Sequence, residues 1–236
     1  MIAAWLYLVL GVKARLGVAV GILAAVTLGT SLITAPGAPS PVDPFSPEGN
    51  LGCWLDRTLT AGHTYKPLFD PEGFAGFFPS IVTAMLGMFA GEIVRRGGTA
   101  ATGRKSLELL AAGVLCLVAG AALACVFPIN KALWSPSFTL VAGGLSFALF
   151  ALFHWIVDVR GWKKGTFFFT VIGLNSITIY MAQRVIGFRV ARDFLFGGLA
   201  SLLPEAWGAV VLQVGYIAVC WLFLYFLYRH KVFLKV

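Results

Sequence analysis

The side chains able to do chemistry are few and lie in a handful of places. The densest is a stretch in which Gly62-His63-Thr64-Tyr65 is followed by Phe69-Asp70-Pro71-Glu72-Gly73, directly before a long apolar run. A histidine with two carboxylates can hold a metal or act as a base. This spacing matches no metal motif, so no metal is expected. Asp70 and Glu72 flank Pro71, which also suits the N-terminus of the helix that follows. That capping role accounts for Asp70 and leaves His63 and Tyr65 unexplained. A second, compact segment runs from Phe127 to Pro136 and contains Asn130, Lys131 and Trp134. Lys131 reads as the partner of an acid in the first stretch or of an anionic substrate. Trp134 reads as an interface anchor.

Other polar residues sit inside apolar runs. Asn175, Ser176 and Thr178 interrupt residues 167–186. Such groups are costly at membrane depth and mark either function or a buried partner. Ser, Thr and Asn also serve simply to join helices. Gln183 and Arg184 follow; Arg184 either snorkels or binds an anion in a cavity. His154 and Asp158 are four apart and read as a local pair on one helix face. Glu92 reads as the partner of Arg95 and Arg96, and Glu108 as a carboxylate at a helix N-terminus. Gly17 with Gly21, and Gly87 with Gly91, have the small-xxx-small spacing of close helix contacts. Cys53, Cys116, Cys125 and Cys220 show neither zinc-ligand spacing nor a disulfide framework.

The elements that must position these residues follow from composition. Of 236 residues, 59% are hydrophobic and 12% charged, with a mean hydropathy of +0.87. A soluble globule could not cover that much apolar surface. A disordered chain, a nucleic-acid module and a secreted disulfide domain are excluded as well. The apolar runs are long and continuous, and a span needs about 20 residues. The reading is an all-α, polytopic transmembrane helix bundle forming a single domain over 1–236, its immediate partner the lipid bilayer. Six full spans are expected at 16–33, 74–94, 107–126, 138–157, 167–186 and 210–228. Residues 34–73 form a long outer loop, within which 50–59 is expected as a short interfacial helix with Trp54 towards lipid. Residues 188–208 read as a connector. Residues 1–10 are apolar but would rise only about 15 Å as a helix, half a span. They read as the second half of a span, or as an interfacial helix running into the first full one.

The net charge of +8 is explained without nucleic acid. Lys13, Arg15, Arg95, Arg96, Arg104, Lys105, Arg160, Lys163, Lys164, Arg229, Lys231 and Lys235 fall in alternate loops, and the positive-inside rule makes that face cytoplasmic. The C-terminus is then cytoplasmic and the 34–73 loop periplasmic, in an integral protein of a bacterial inner membrane. Asp43, Glu48, Asp56, Asp70, Glu72, Asp193 and Glu205 fall on the other side, as do Arg57, Lys66, Lys131, Arg184, Arg189 and Arg192.

Several motifs occur in a fixed order: Asp56-Arg57, Gly62-His63-Thr64-Tyr65, Asp70-Pro71-Glu72-Gly73, Pro128 to Ser135, Asp158-Val159-Arg160-Gly161-Trp162, and Gly173 to Tyr180. With the ending Leu227 to Lys235, they resemble the C-terminal half of the heparan-alpha-glucosaminide N-acetyltransferase family and its bacterial NagX-type relatives. That resemblance implies a membrane acyltransferase moving acetyl from acetyl-CoA to an amino sugar or other glycan on the opposite face. It implies that Asn130, Lys131, Asn175 and Ser176 line a polar cavity whose outer mouth is shaped by Asp70 and Glu72, with His63 and Tyr65 beside it. The family's catalytic histidine lies in an N-terminal half with no counterpart here; His63 aligns with a different family histidine. The expectation is therefore an incomplete enzyme needing a missing N-terminal half, or acting as a homo-oligomer. An amino-sugar permease and an inactive fragment are the alternatives.

Overall fold

The structure is a computed structural model that describes residues 1–38, 41–70, 73–96 and 103–234. Its described residues form helices and loops without strands. Helices α1 (Ile2–Val9), α2 (Val12–Leu32), α3 (Leu51–Leu59), α4 (Phe74–Arg95), α5 (Gly103–Ala124) and α6 (Pro136–Phe153) come first. A π-helical turn, His154–Val159, continues α6. Then come α7 (Thr166–Leu174), α8 (Ser176–Val185), α9 (Phe188–Ser201) and α10 (Glu205–Arg229). Among the described residues five helices are long and apolar enough to cross a membrane: α2, α4, α5, α6 with its π turn, and α10. The pair α7 and α8, bent by 67° at Asn175, makes a sixth if counted as one span. The protein is a polytopic helical membrane bundle, as its composition requires.

Packing divides the chain into two units, Met1–Gly161 and Trp162–Val236. In the first, α4 is the central element. Its Ile81, Val82 and Met85 bury Ala19 and Leu23 of α2 and Ala3 of α1. One turn further on, Ala90 meets Leu109 of α5 with Phe147 and Ala151 of α6. A break at Leu10 and Gly11 separates α1 from α2, and Arg15 holds it by donating its Nε to the Leu10 carbonyl at 2.6 Å. Lys13 and Arg15, expected outside the first full span, lie in the first turn of α2.

The expected small-residue contacts lie elsewhere. A Cβ added to Gly17, Gly21, Gly87 or Gly91 would meet nothing within 4 Å. The close approach is instead between α5 and α6, where a Cβ on Gly113 would stand 2.9 Å from the Gly144 carbonyl oxygen. On Gly144 it would stand 2.8 Å from the Gly113 oxygen, and on Gly120 2.8 Å from Val141. Spacing within one helix says nothing about which face a neighbour covers, so the sequence pattern could not choose between these glycines.

In the second unit the segment expected as a connector is helix α9, which packs as an antiparallel hairpin against the spanning helix α10. Gly208 of α10 faces the Ala200 carbonyl, and Gly215 receives the Phe196 ring. On the other side of α10, Trp221 stacks on Phe168 of α7 at 5.5 Å and donates its Nε1 to the Phe168 carbonyl at 3.1 Å.

Methyl groups at the α5–α6 contact should force the helices apart. Gly113→Ala and Gly144→Ala are each expected to cost roughly 1–3 kcal/mol, seen as a lower thermal midpoint in detergent. Gly21→Ala and Gly87→Ala should leave that midpoint unchanged.

Candidate functional site

The candidate residues of the first unit gather where the long loop meets the start of α4. Helix α3 begins at Asn50, whose side chain accepts the Cys53 amide at 3.2 Å, the usual means of satisfying a helix N-terminus. That helix presents Asp56, buried, to the first turn of α4, where Oδ1 accepts the Ala75 amide at 3.1 Å. A Cβ on Gly73 would overlap the Asp56 carboxylate, so the close seating of α3 needs glycine there. The neighbouring Arg57 donates to the carbonyls of Pro47 at 2.8 Å and Leu68 at 2.7 Å, tying both arms of the loop together.

The start of α4 thus has a carboxylate other than the two expected there. The Asp70 side chain accepts the Tyr65 amide at 3.2 Å, while the carboxylate seen on the α4 amides belongs to Asp56, 19 residues upstream of Ala75. Glu72 lies outside the described residues. Burial pushes the Asp56 carboxyl above its ordinary range, against the Ala75 and Phe74 amides that pull it down; the charge of Asp70 adds to the rise. Burial likewise pushes the Cys53 thiol up to about 11, with Asp56 adding to it, which makes this cysteine inert.

Loop 127–135 sits against the same end of α4, since the Trp134 side chain is the neighbour of Gly76 and its Nε1 donates to Thr83 at 3.3 Å. Asn130 folds this loop. Its Oδ1 accepts the Ala132 and Leu133 amides at 2.8 and 3.4 Å, and its own amide donates to Ser135 at 3.0 Å. Ser135 in turn caps α6 by accepting the Phe138 amide. Trp134 is held at φ 48°, a left-handed conformation that the turn imposes.

Three side chains at this end are left facing outward: His63, Tyr65 and Lys131. Among the described residues Lys131 makes no ion pair with an acid of the long loop. His63 is fixed only through its backbone, its amide donating to the Thr60 carbonyl at 2.9 Å. The end therefore offers an imidazole, a phenol and an ammonium on a stiff support. No three His, Cys, Asp or Glu among the described residues come close enough to hold a metal.

The other two candidates belong to the second unit. Asn175 is fully buried at the α7–α8 bend, donating Nδ2 to the Val232 carbonyl at 3.2 Å and accepting the Thr178 hydroxyl at 3.2 Å. It fastens the chain's tail to the break. Ser176, next to it, is exposed.

No family model matches the chain. Heparan-alpha-glucosaminide N-acetyltransferase from Mus musculus is 31% identical over 155 residues, covering 58% of this chain and 24% of the mouse protein. The Homo sapiens protein of the same name is 31% identical over 158 residues, covering 58% and 23%. The chain is similar to heparan-alpha-glucosaminide N-acetyltransferase. The ordered motifs of the sequence point to the same proteins. The matched stretch spans about a quarter of the length of these two curated relatives.

Some polar contacts of the first unit were out of reach of motif reading. Glu92 receives the Tyr7 hydroxyl at 2.7 Å and Arg15 at 3.3 Å, with Arg96 further off at 3.9 Å. His154 turns away from Asp158 and hydrogen-bonds through Nδ1 to Ser106 at 2.7 Å, both residues buried. The π turn starting at His154 widens the helix, so residues four apart no longer share a face. Ser106 borders an apolar cavity of about 450 Å³ with Leu107, Leu110 and Trp155.

The role of Asp56 is open to test. Asp56→Ala should cost about 1–2 kcal/mol through the lost cap, and Asp56→Asn, which keeps an acceptor, less. Because the folded carboxyl binds its proton more tightly than the unfolded one, its contribution is complete below the ordinary carboxylate pKa and is lost as pH rises through the raised value. Thermal midpoints over a pH series should show that loss in the wild type and not in Asp56→Asn.

Proposed function

We propose that this chain forms the acceptor-side part of a membrane acetyltransferase that moves acetyl from acetyl-CoA to the amine of an amino sugar. The observation that carries this reading is the 31% identity to heparan-alpha-glucosaminide N-acetyltransferase over 58% of the chain. In such a transfer the sugar nitrogen attacks the thioester carbonyl. A C–N bond forms, the C–S bond breaks, and the amine's proton leaves through a base while the thiolate departs.

The geometry supports a binding and orienting role for this chain's residues. On this reading Lys131 and Tyr65 supply hydrogen bonds to sugar hydroxyls, and His63 adds a donor or a proton acceptor at the same end. Asp70 holds the Tyr65 backbone, and Asn130 positions Lys131 through the turn it folds. In the second unit the exposed Ser176 offers a further hydroxyl, beside the buried Asn175. The long loop is then periplasmic and the basic loops cytoplasmic, the face from which acetyl-CoA is supplied. Arg104 and Lys105 of that face already hold Glu108 at 3.0 Å and the Val94 carbonyl at 2.7 Å. Arg95, exposed, is better placed to attract phosphates.

Proteoliposomes containing this chain, alone or with the N-terminal spans of a relative, provide the test. Given acetyl-CoA and glucosamine, they should release coenzyme A thiol in step with N-acetylglucosamine. Lys131→Ala and His63→Ala should lower that rate at least tenfold while leaving the thermal midpoint in place. Glucosamine accumulating inside the vesicles without thiol release would overturn the reading in favour of transport.

A further inference from the structure

Three basic residues that the loop-charge rule does not account for, Arg184, Arg189 and Arg192, meet at one place in the second unit. Two adjoining cavities share Arg189 and Tyr216 as walls. The larger, about 420 Å³, is bordered by Gln183 and Arg184; the smaller, about 210 Å³, by Arg192 and Gln213. The walls come from the end of α8, the first turn of α9 and the middle of α10.

The depth of this place matters. Gln213 and Tyr216 lie eight and eleven residues into the apolar helix α10, roughly 12 and 16 Å along its axis from the first residue. Guanidinium groups at that level are costly in lipid and persist where something compensates their charge. The chain compensates in part. Arg192 donates to the adjacent Asp193 through Nε at 2.8 Å and Nη2 at 2.6 Å, and its side chain is 16% exposed. Among the described residues Arg184 and Arg189 have neither a carboxylate nor a hydrogen-bonded carbonyl. Three arginines therefore border the two cavities with Gln183, Gln213 and Tyr216, and one of them, Arg192, is paired with a carboxylate. Gly187 and Phe188, at the start of the 14-residue helix α9, also border the larger cavity, so the positive end of that helix lies beside it.

We propose that this cavity pair binds a phosphate-type oxyanion, the charged end of a phospholipid or of a soluble phosphate ester. Forked guanidinium donors match the paired oxygens of such a group. The two amides and the phenol supply directed hydrogen bonds around it. The larger cavity leaves room for the organic part attached to the phosphate. The site is separate from acetyl transfer, and its test uses neither acetyl-CoA nor sugar.

The full chain, purified in an uncharged detergent, is titrated with inorganic phosphate at an ionic strength held constant with chloride. Binding is read by equilibrium dialysis and by the thermal midpoint. Saturable binding is expected, weakened at least tenfold in Arg189→Gln and in Arg184→Gln, both exposed and thus harmless to folding. The control Lys163→Gln/Lys164→Gln should bind as the wild type does. In a second arm, native mass spectrometry counts copies of phosphatidylglycerol or of uncharged diacylglycerol retained from mixed micelles. Retention of phosphatidylglycerol that is lost in Arg189→Gln, without binding of free phosphate, assigns the site to a lipid headgroup. Binding of free phosphate without lipid retention assigns it to a soluble ester. If neither phosphate nor phosphatidylglycerol distinguishes the wild type from the arginine variants, the proposal is wrong.

Discussion

Hydrocarbon supplies no hydrogen-bond partner, and a polar group carried into a span is costly unless it finds one within the chain. That constraint shapes the bundle more than any apolar contact does. Thr27 and Ser146 meet it locally, each donating to the carbonyl one turn back. Glu92 cannot, and its carboxylate draws Tyr7 of α1 and Arg15 of α2 onto α4. Arg15 also lies 3.7 Å from the centre of the Tyr7 ring, so one carboxylate, one phenol and one guanidinium join three helices. His154 meets the same demand through Ser106, which fixes the π turn of α6 to the first turn of α5. Asn175 meets it through the Val232 carbonyl, and there the price is a broken helix.

The same constraint separates what was legible in the sequence from what was not. Spans are written directly as apolar runs, so α4 and α10 begin and end within a few residues of expectation. The start of α2 is less direct. Charged residues mark where a helix leaves the apolar layer, not where its hydrogen bonds stop, and Lys13 and Arg15 are helical. Helix α9 is hidden for another reason. Its mixed composition becomes intelligible only against Gly208 and Gly215 of α10, which make room for it. Partners separated by tens of residues leave no periodic trace. His154 was matched to its neighbour in sequence, Asp158, when its partner is 48 residues away. The carboxylate on the Ala75 amide comes from Asp56 of α3, 19 residues upstream.

The candidate site shows the same division. Motif order picks out the segments that carry His63, Tyr65 and Lys131, all three exposed. What motif order cannot express is the direction in which a polar side chain is used. Asn130 and Asn175 are consumed by backbone partners and act as fasteners, one of a turn and one of a helix break. Lys131 and His63 have no such engagement. Residues of similar polarity thus divide into those that build the support and those the support holds out.

Arginine divides in the same way. Arg15 and Arg57 are structural because their donors end on carbonyls and a carboxylate of the chain itself. Removing Arg15 would take the side-chain donor from the Leu10 carbonyl, and removing Arg57 the donors from those of Pro47 and Leu68. Among the described residues Arg184 and Arg189 have no such acceptors, and a charge rule that places basic residues in alternate loops does not call for them on α8 and α9. A cation kept beside an apolar helix without an internal counter-charge is destabilising unless an external anion meets it, because lipid cannot solvate it. The arginines that the described fold does not use are therefore the ones that an external anion would stabilise.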